Sequence, residues 1–406
     1  MVLLVGFALR LGWVLLWPNE QFIGDYIWLN GRAQGLAEGH GYVQPNGQST
    51  AFWPVGYPLT LSLLYRVFGT HDLVGKLANV VYSMGILIGT YALGRRIFSE
   101  TTARIGLLLL AISLNSIAYN SLLATETIFT MLFVAALVVV FRQSQHRMTG
   151  LLLGAILGIA ANIKPVTIGL FPFFFVCLWA VGRDWKKAAI HTATAIVMTI
   201  VLLLPWLVRN HERFGKWILS NEAGLVLLVG ANPDATGQYY RAPVIQELYP
   251  KLLEGGMEEY HWNKECQKLA VQYIREHSLH WFALGFKKLY HMYKHDVDGV
   301  WHTLNGVTPK VSDFVWNTLT RTAHVYYGVL MLLAIGYVAQ TVARRQLLSI
   351  PNLCLLFVFY FSSVCFCFHG LPRYHYPIMP LFCLFAGQFA ETLMGRKGGV
   401  TSTQQA

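Results

Sequence analysis

The sequence predicts an all-α polytopic membrane protein with about ten or eleven transmembrane helices. Of its 406 residues 55% are hydrophobic and only 13% are charged, whereas soluble domains average about 25% charged residues. The formal net charge is +11, and the basic residues stand in short clusters between apolar runs rather than in one patch. That arrangement is typical of membrane proteins and does not favour a nucleic-acid partner.

The predicted spans are apolar runs that approach the length of about 20 residues needed to cross a bilayer. They lie near 2–17, 72–94, 105–119, 121–141, 150–163, 165–182, 188–208, 323–342, 350–368 and 374–394. The run 55–68 is apolar but short. We interpret it as a half-buried, re-entrant helix, because an additional full span there would break the alternation of the basic connections; an eleventh span is the alternative.

The orientation follows from the basic residues between the spans. In a ten-span arrangement they all fall on one side, and the positive-inside rule makes that side cytoplasmic. They are Arg95, Arg96, Arg104, Arg142, Arg147, Arg183, Lys186, Lys187, Arg344, Arg345, Arg396 and Lys397. The other side then carries the two long segments, 18–71 and 209–322, and loops of such length are uncommon unless functional.

These segments divide the chain into four parts. Residues 1–208 form an N-terminal transmembrane module that includes the outer loop 18–71, and residues 209–322 form a periplasmic, α-rich cap. Residues 323–397 supply the C-terminal transmembrane helices, and 398–406 is a polar tail. Within the cap, apolar residues recur at helical spacing over 262–295, with several basic residues between them. This pattern predicts an amphipathic helix on the membrane surface.

The first outer segment carries the strongest candidate for chemistry. Asp25 opens a helix soon after the first span, and Gly39-His40-Gly41-Tyr42 ends it, with glycine suited to the left-handed turn. A carboxylate at the mouth of a membrane cavity can act as a general base. The alternative is that Asp25 only caps the helix at the membrane interface.

The order of several short motifs resembles that of the GT-C membrane glycosyltransferases. The closest resemblance is to the protein-mannosyltransferase and aminoarabinose-transferase superfamily, related to glycosyltransferase family 39, and it covers nearly the whole chain. The motifs are Arg10, Asp25, Gly39-His40-Gly41-Tyr42, Trp53-Pro54, Gly56-Tyr57-Pro58, Thr125-Glu126, Lys164-Pro165, Pro205-Trp206, Arg209-Asn210, Phe214-Gly215, the loop 230–237 with Asn232, and Arg373-Tyr374 with Pro377. In two respects the chain departs from the family: Tyr26 follows Asp25 where a second acid is common, and the soluble C-terminal domain of some members is absent.

The resemblance implies a GT-C fold and transfer of a sugar from a polyprenyl-phosphate-linked donor, with inversion, to an acceptor at the periplasmic face. It makes Asp25 the expected base and Glu126 a second catalytic acid, which orients the acceptor or a cation. The alternative for Glu126 is that an acid in the first turn of a helix only stabilises the helix dipole. The expected cations for the donor phosphate are Lys164, Arg209 and Arg373, although each could instead place its charge at the lipid headgroups. Arg10, inside the first span, is expected to have a structural partner.

Six further residues are expected to contact substrate because they lie in the matched motifs: His40, Tyr42, Trp53, Tyr57, Asn232 and His375. The resemblance further implies residence in a bacterial inner membrane and a lipid, glycan or protein acceptor. The sequence establishes no cofactor and assigns no metal ligands. A divalent metal ion is left open; His40, His369 and His375 could be zinc ligands, but interfacial histidines are the plainer interpretation.

Two other functions compete with the enzyme. A transporter or lipid flippase would be expected to show repeated halves and charges in the middle of spans. The chain shows no repeat, and its candidate charges cluster near span ends on one side. A ligase or polymerase of lipid-linked glycans would also use a large outer loop with Arg and His. Only the glycosyltransferase hypothesis requires the Asp25 segment.

Overall fold

The computed structural model describes residues 1–17, 24–142, 146, 148–253 and 258–398. Within these ranges the regular structure is helical, and the β-structure is limited to an isolated antiparallel bridge between Val43 and Ser49. The all-α fold class predicted from the sequence is therefore confirmed. Arg147, the start of the first outer segment and most of the polar tail lie outside the described residues.

Long apolar helices form the membrane part of the molecule. In the described ranges, six helical segments are long and apolar enough to cross a bilayer. They contain α4 (Asp72–Ile97), α9 (Phe171–Gly182, preceded by the 3-10 turn Pro165–Leu170), α10 (Trp185–Phe214), α16 (Asp313–Ala343), α17 (Cys354–Cys367, preceded by Ile350–Leu353) and α18 (Met379–Gly398, preceded by Pro372–Ile378). The chain is an integral membrane protein.

The remaining predicted spans coincide with shorter or bent helices. The pair α5 (Glu100–Ile112) and α6 (Leu114–Ala118) bends by 57°. Ser113, between them, accepts a hydrogen bond from the Ser116 amide and so begins a new helix. Three apolar helices are shorter than a standard span: α1 (Val2–Leu16), α7 (Thr125–Val140) and α8 (Met148–Ile163). Every predicted span thus falls on a helix.

Close packing of small residues joins two of the membrane helices. Gly150, Gly154 and Gly158 follow one another at four-residue spacing on α8 and face α10. A Cβ atom on Gly154 would lie 2.5 Å from the Ala195 carbonyl oxygen. This spacing of small residues lets the two helix backbones come into close contact. Such packing matters in a membrane because apolar side chains gain nothing by leaving lipid for another helix.

Arg10 has the structural partners expected of a charged residue inside a span. Its guanidinium donates to the Gly6, Leu110 and Ala111 carbonyl oxygens at 3.0–3.1 Å. The Leu110 and Ala111 carbonyl groups, just before the bend between α5 and α6, thereby gain hydrogen-bond donors. These bonds hold α1 against the bend.

The first outer segment contributes two helices, α2 (Asp25–Ala37) and α3 (Gly56–Phe68). The 13 residues of α3 are about 20 Å long, which is less than the ~30 Å hydrocarbon core. The Tyr65 hydroxyl donates to Asn30, and Asn30 donates to Asp72 at the start of α4. A Cβ atom on Gly56 would lie 2.4 Å from the Asn162 carbonyl oxygen, so only glycine lets the start of α3 reach the end of α8.

The cap consists of short helices with a core of its own. They are α11 (Ala223–Val229), α12 (Pro243–Leu253), α13 (Glu259–Glu276), α14 (Ser278–Tyr293) and α15 (Asp298–Asn305). Trp262, in the first turn of α13, is fully buried in a cluster with Leu225, Ile245 and Ala270. The single helix expected over 262–295 is divided at His277, whose backbone leaves the helical region at φ −130° and ψ 42°.

Candidate active site

A cavity of about 460 Å³ lies between the cap, the first outer segment and the membrane helices. Its lining has a polar part and an apolar part. The polar part comprises Asp25, Tyr26, Trp53, Thr125, Glu126, Lys164, Ser220, Glu222, His369, Arg373 and Tyr374. The apolar part comprises Leu29, Pro54, Phe129, Ile163, Pro165, Val166, Ala223, Val226, Tyr360, Phe361, Val364, Cys365, Phe368 and Pro377. A cavity of this composition suits an amphiphilic ligand.

Asp25 and Arg373 form an ion pair in the cavity. Asp25 is the first residue of α2, and Arg373 lies in the 3-10 turn that leads into α18. Arg373 Nη1 lies 2.8 Å from Asp25 Oδ2, and the two side chains are 24% and 38% exposed. The Arg373 Nε atom is buried and has no hydrogen-bond partner within the protein. Arg373 lines the cavity and part of its side chain is exposed, so the guanidinium keeps access to a ligand there.

Glu126 and Lys164 form a second and more deeply buried ion pair. Glu126 is in the first turn of α7, and Lys164 directly follows α8, where Pro165 starts a 3-10 turn. Lys164 Nζ lies 3.0 Å from Glu126 Oε1, with 23% of the lysine side chain and 4% of the glutamate side chain exposed. The ammonium thus keeps the greater access to the cavity.

Glu222 is a third carboxylate in the cavity and was not among the residues predicted from the sequence. It directly precedes α11 and lies beside the Trp53 indole in the cavity lining. Burial raises the pKa of Glu222 to about 7, with Asp25 adding to the rise while Lys164 and the Trp53 indole oppose it. The signal available in the sequence was an acid immediately before the apolar run 223–229 on the outer side.

His369 and Tyr374 lie at the other edge of the polar part. The Tyr374 hydroxyl and His369 Nε2 are 2.7 Å apart. Burial, with a contribution from Arg373, lowers the pKa of His369 to about 3. The imidazole is therefore neutral near pH 7, and its Nε2 can accept a hydrogen bond from the Tyr374 hydroxyl. Among the described residues, no three His, Cys, Asp or Glu side chains come together in a metal-binding group.

The structure places Arg209 outside this cavity, and its expected role in binding the donor phosphate requires correction. One Nη donates to the Thr50 carbonyl oxygen at 2.7 Å and the other to the Tyr42 carbonyl oxygen at 2.8 Å. Arg209 lies near the C-terminal end of α10, where its charge can reach the backbone of the first outer segment. Its guanidinium holds that segment in place and is not presented to the cavity.

His40 and Tyr42 also lie away from the cavity, contrary to the expectation that they contact substrate. His40 is exposed and pairs with Glu38 at 3.3 Å. Tyr42 is buried, and its hydroxyl donates to the Trp53 and Pro54 carbonyl oxygens at 3.0 and 3.2 Å. The role of Tyr42 is thus to shape the loop that presents Trp53, which does line the cavity.

Tyr57, Asn232 and His375 are packed inside the protein rather than along the cavity. Tyr57 belongs to the main apolar core. The Asn232 amide donates to the Leu228 carbonyl oxygen at 2.7 Å and so caps α11. His375 contacts the Met292 carbonyl oxygen at 2.6 Å and Asp296 at 3.1 Å. Asn232 and His375 already have partners inside the protein, Tyr57 is buried in the apolar core, and none of the three lines the cavity.

Comparison with known proteins agrees with this architecture. Residues 53–208 match the sequence model of the family described as dolichyl-phosphate-mannose-protein mannosyltransferase. The oligosaccharyltransferase of Archaeoglobus fulgidus, solved with a tethered acceptor peptide, superposes with a TM-score of 0.57 at 12% identity. The same enzyme, solved with an inhibitory peptide and a dolichol-phosphate, gives 0.54 at 13% identity. The chain has a GT-C fold.

The predicted resemblance to the GT-C membrane glycosyltransferases is thereby confirmed. The comparison covers 100% of this chain but only 50–52% of the archaeal enzyme, so the chain spans about half of that protein's length. ArnT of Cupriavidus metallidurans, solved with undecaprenyl phosphate, shows 14% identity and a TM-score of 0.46 over 97% of this chain and 78% of its own. No curated protein matches the chain in sequence.

Proposed function

We propose that the protein transfers a sugar from a polyprenyl-phosphate-linked donor to an acceptor hydroxyl at the extracytoplasmic face of the membrane. The observation that carries the proposal is the cavity itself, in which Lys164 and Arg373 face the same space as the Asp25 carboxylate. This combination supplies cations for a phosphate and a base for a hydroxyl. The GT-C fold supports the proposal.

The donor phosphate binds at Lys164 and Arg373. Both cations line the cavity, and Arg373 Nε is a buried donor without a partner. A guanidinium can bind phosphate through two parallel hydrogen bonds. The isoprenoid chain then follows the apolar wall formed by Val166, Tyr360 and Val364. The dolichol-phosphate in the archaeal structure and the dolichyl-phosphate donor in the family description support a lipid of this kind.

Transfer is a single displacement at the anomeric carbon. The acceptor oxygen forms the new glycosidic bond while the bond between the anomeric carbon and the phosphate oxygen breaks, which inverts the configuration. The hydroxyl proton passes to Asp25 as general base. The leaving polyprenyl phosphate keeps the bonding electrons, and Lys164 and Arg373 stabilise its growing charge.

Donor binding changes the pairing of Asp25. In the free protein Asp25 is paired with Arg373 at 2.8 Å. A phosphate on Arg373 competes for the same N–H groups, and the carboxylate is then released toward the acceptor hydroxyl. Glu126, paired with Lys164, keeps that ammonium at the phosphate. Its catalytic contribution is therefore to orient a cation.

The positive-inside rule supports an extracytoplasmic position for the site, because the basic connections lie on the side of the membrane opposite to the cap and the cavity. In a bacterial inner membrane that is the periplasmic side. A lipid, a glycan or a protein hydroxyl can serve as acceptor there. A flippase would also bind lipid phosphate, but it has no use for a carboxylate next to the phosphate-binding cation.

Sugar transfer in membranes tests the proposal. Membranes that contain the wild type or Asp25→Asn are incubated with a panel of radiolabelled polyprenyl-phosphate sugars, and incorporation into lipid, glycan and protein fractions is measured. Asparagine keeps the size but cannot accept the proton, so we expect loss of transfer by a factor of about 10²–10⁴. Equal membrane insertion of both proteins is the control. Undiminished transfer by Asp25→Asn would refute the mechanism.

A further inference from the structure

The pair Trp53 and Glu222 forms a wall of the cavity that phosphate binding and proton transfer leave unused. Trp53 lies in the loop before α3, Glu222 directly before α11, and both line the cavity. The Trp53 indole and the Glu222 carboxylate are neighbours in the lining of the cavity. Two elements that are distant in sequence therefore present one composite surface.

This wall is held rigidly from behind by Glu259 of α13. The Glu259 carboxylate is buried and accepts from the Thr50 hydroxyl at 2.6 Å, the Ala51 amide at 2.8 Å and the Asn221 side chain at 2.9 Å. The Asn221 amide also donates to the Ala51 carbonyl oxygen at 2.8 Å. The residues just before Trp53 and Glu222 are thus fixed to one another, which preorganises the pair.

Trp53 is fixed by its aromatic neighbours as well. Its ring makes an edge-to-face contact with Trp28 at 4.6 Å between centroids and lies 5.2 Å from the Phe52 ring. Aromatic pairs of this geometry contribute beyond the area that they bury. Trp53 is only partly buried, and it lines the cavity.

The charges show what this wall can bind. Asp25 and Glu126 each hold a cationic side chain, whereas Glu222 forms no ion pair with any Lys, Arg or His in the described part of the chain. In its ionised form the Glu222 carboxylate only accepts hydrogen bonds, so a ligand that binds this form must bring donors. An isoprenoid chain has none, and the phosphate diester of the donor is an anion without donors. The sugar, with its hydroxyl groups, is the part of the donor that fits.

We infer that Trp53 and Glu222 form the sugar-binding subsite of the donor: Glu222 accepts hydrogen bonds from the sugar hydroxyls, and the Trp53 ring contacts the apolar face of the sugar. The inference rests on the proposed function and names the part of the donor that this wall recognises. Glu222 is accordingly a specificity-determining residue, distinct from the base Asp25 and from the phosphate-binding cations.

Binding measurements on the purified full-length protein test the subsite. Undecaprenyl phosphate and its mannose, glucose and galactose derivatives are titrated against the wild type, Glu222→Ala and Glu276→Ala. Glu276 is an exposed acid of α13 and is the matched control. We expect the wild type and Glu276→Ala to bind at least one sugar lipid about 10-fold more tightly than bare undecaprenyl phosphate. In Glu222→Ala this preference is lost, while the Kd for bare undecaprenyl phosphate stays within about two-fold.

Several results would overturn the inference. The first is that Glu222→Ala keeps the preference for the sugar lipid. The second is that it loses affinity for bare undecaprenyl phosphate and for the sugar lipid by the same factor. The third is that the wild type shows no preference for any sugar lipid. Because Glu222→Ala could disturb the loop, Glu222→Gln is measured too: it keeps the shape and an acceptor oxygen, and should weaken sugar binding less than alanine does. A wild type that binds no undecaprenyl phosphate would refute the proposed function instead, so the two failures are distinguishable.

Discussion

The Asp25 carboxylate lies 2.8 Å from the Arg373 guanidinium, although the two residues stand near opposite ends of the chain. The pair closes the cavity by joining the start of α2 to the turn before α18. It also places Asp25, the proposed base, next to Arg373, the residue proposed to bind the phosphate. When the donor binds, its phosphate replaces the Asp25 carboxylate as the anionic partner of Arg373.

Arg373→Gln is expected to weaken binding of undecaprenyl phosphate by about 10-fold or more, because one charge-assisted hydrogen bond contributes about 1.5–3 kcal/mol. Arg373→Lys keeps the charge but loses the two-bond geometry and should fall between the wild type and Arg373→Gln. Titration with undecaprenyl phosphate measures the effect. Arg66→Gln, on the exposed end of α3, is the control. Wild-type affinity in Arg373→Gln would argue against a phosphate at this position.

The Glu126–Lys164 pair predicts a non-additive effect on stability. Glu126→Gln leaves the Lys164 ammonium without its partner in a buried site, which should lower the free energy of unfolding by about 3 kcal/mol. Adding Lys164→Met removes the stranded charge, so the double variant should be more stable than Glu126→Gln alone. Thermal unfolding in detergent measures the order of the three proteins. All variants should lose transfer, and equal stability of the single and double variants would show that the pair is not coupled.

Much of the architecture could be predicted from sequence because it depends on one-dimensional patterns. Apolar run length gave the spans, and the ordered motifs brought Asp25, Glu126, Lys164 and Arg373 to one side of the membrane. Trp53 was also selected from its motif and does line the cavity. The spans and the order of the motifs can be predicted without knowing the tertiary contacts between side chains.

The other site residues selected from motifs do not line the cavity. Membership of a motif does not distinguish a ligand-binding group from a structural hydrogen bond. Arg209 and Asn232 stand in motifs, yet their polar atoms bind backbone carbonyl groups. His375 is occupied by Asp296. Conversely, Glu222 stands in no motif. The preceding residue, Asn221, donates a hydrogen bond to Glu259 of α13, and this tertiary contact positions Glu222 at the cavity. Such pairings are decided by tertiary packing.

Arg209→Gln should affect the first outer segment and not the phosphate. Its guanidinium holds the Thr50 and Tyr42 carbonyl groups, so the loop between α2 and α3 is expected to loosen. Limited proteolysis should cut this loop faster than in the wild type, while the Kd for undecaprenyl phosphate stays within about three-fold. A loss of phosphate affinity comparable to that of Arg373→Gln, without faster cleavage, would restore Arg209 as a donor ligand.

The arrangement of charges also predicts the response to chelators. Asp25 and Glu126, the carboxylates nearest the phosphate-binding groups, already hold Arg373 and Lys164. The side chains therefore supply the positive charge that a divalent ion would otherwise bring to the leaving phosphate. Transfer should persist after EDTA treatment of membranes and should not rise on addition of Mg²⁺ or Mn²⁺. Loss of transfer that a divalent metal restores would contradict this assignment.

Glu222 predicts a pH dependence near neutrality. Burial raises its pKa to about 7 in the folded protein, above the ordinary value of about 4.3. Between about pH 4.3 and about pH 7 Glu222 is protonated in the folded protein and ionised in the unfolded chain. Protonated Glu222 therefore stabilises the folded state at low pH, and this contribution is lost as the pH rises through about 7. Relative to Glu222→Gln, the wild type should show a falling Tm from pH 5 to pH 8.

The same titration should change donor recognition in the opposite direction. Above pH 7 the Glu222 carboxylate is ionised and accepts hydrogen bonds from sugar hydroxyls most strongly, so the KM for the sugar donor should fall as the pH rises through about 7. Glu222→Gln does not titrate and should lose that step in KM, while the pH profile of kcat, which reports the group acting in the bound complex, keeps its shape. A KM step that persists in Glu222→Gln would assign it to another group.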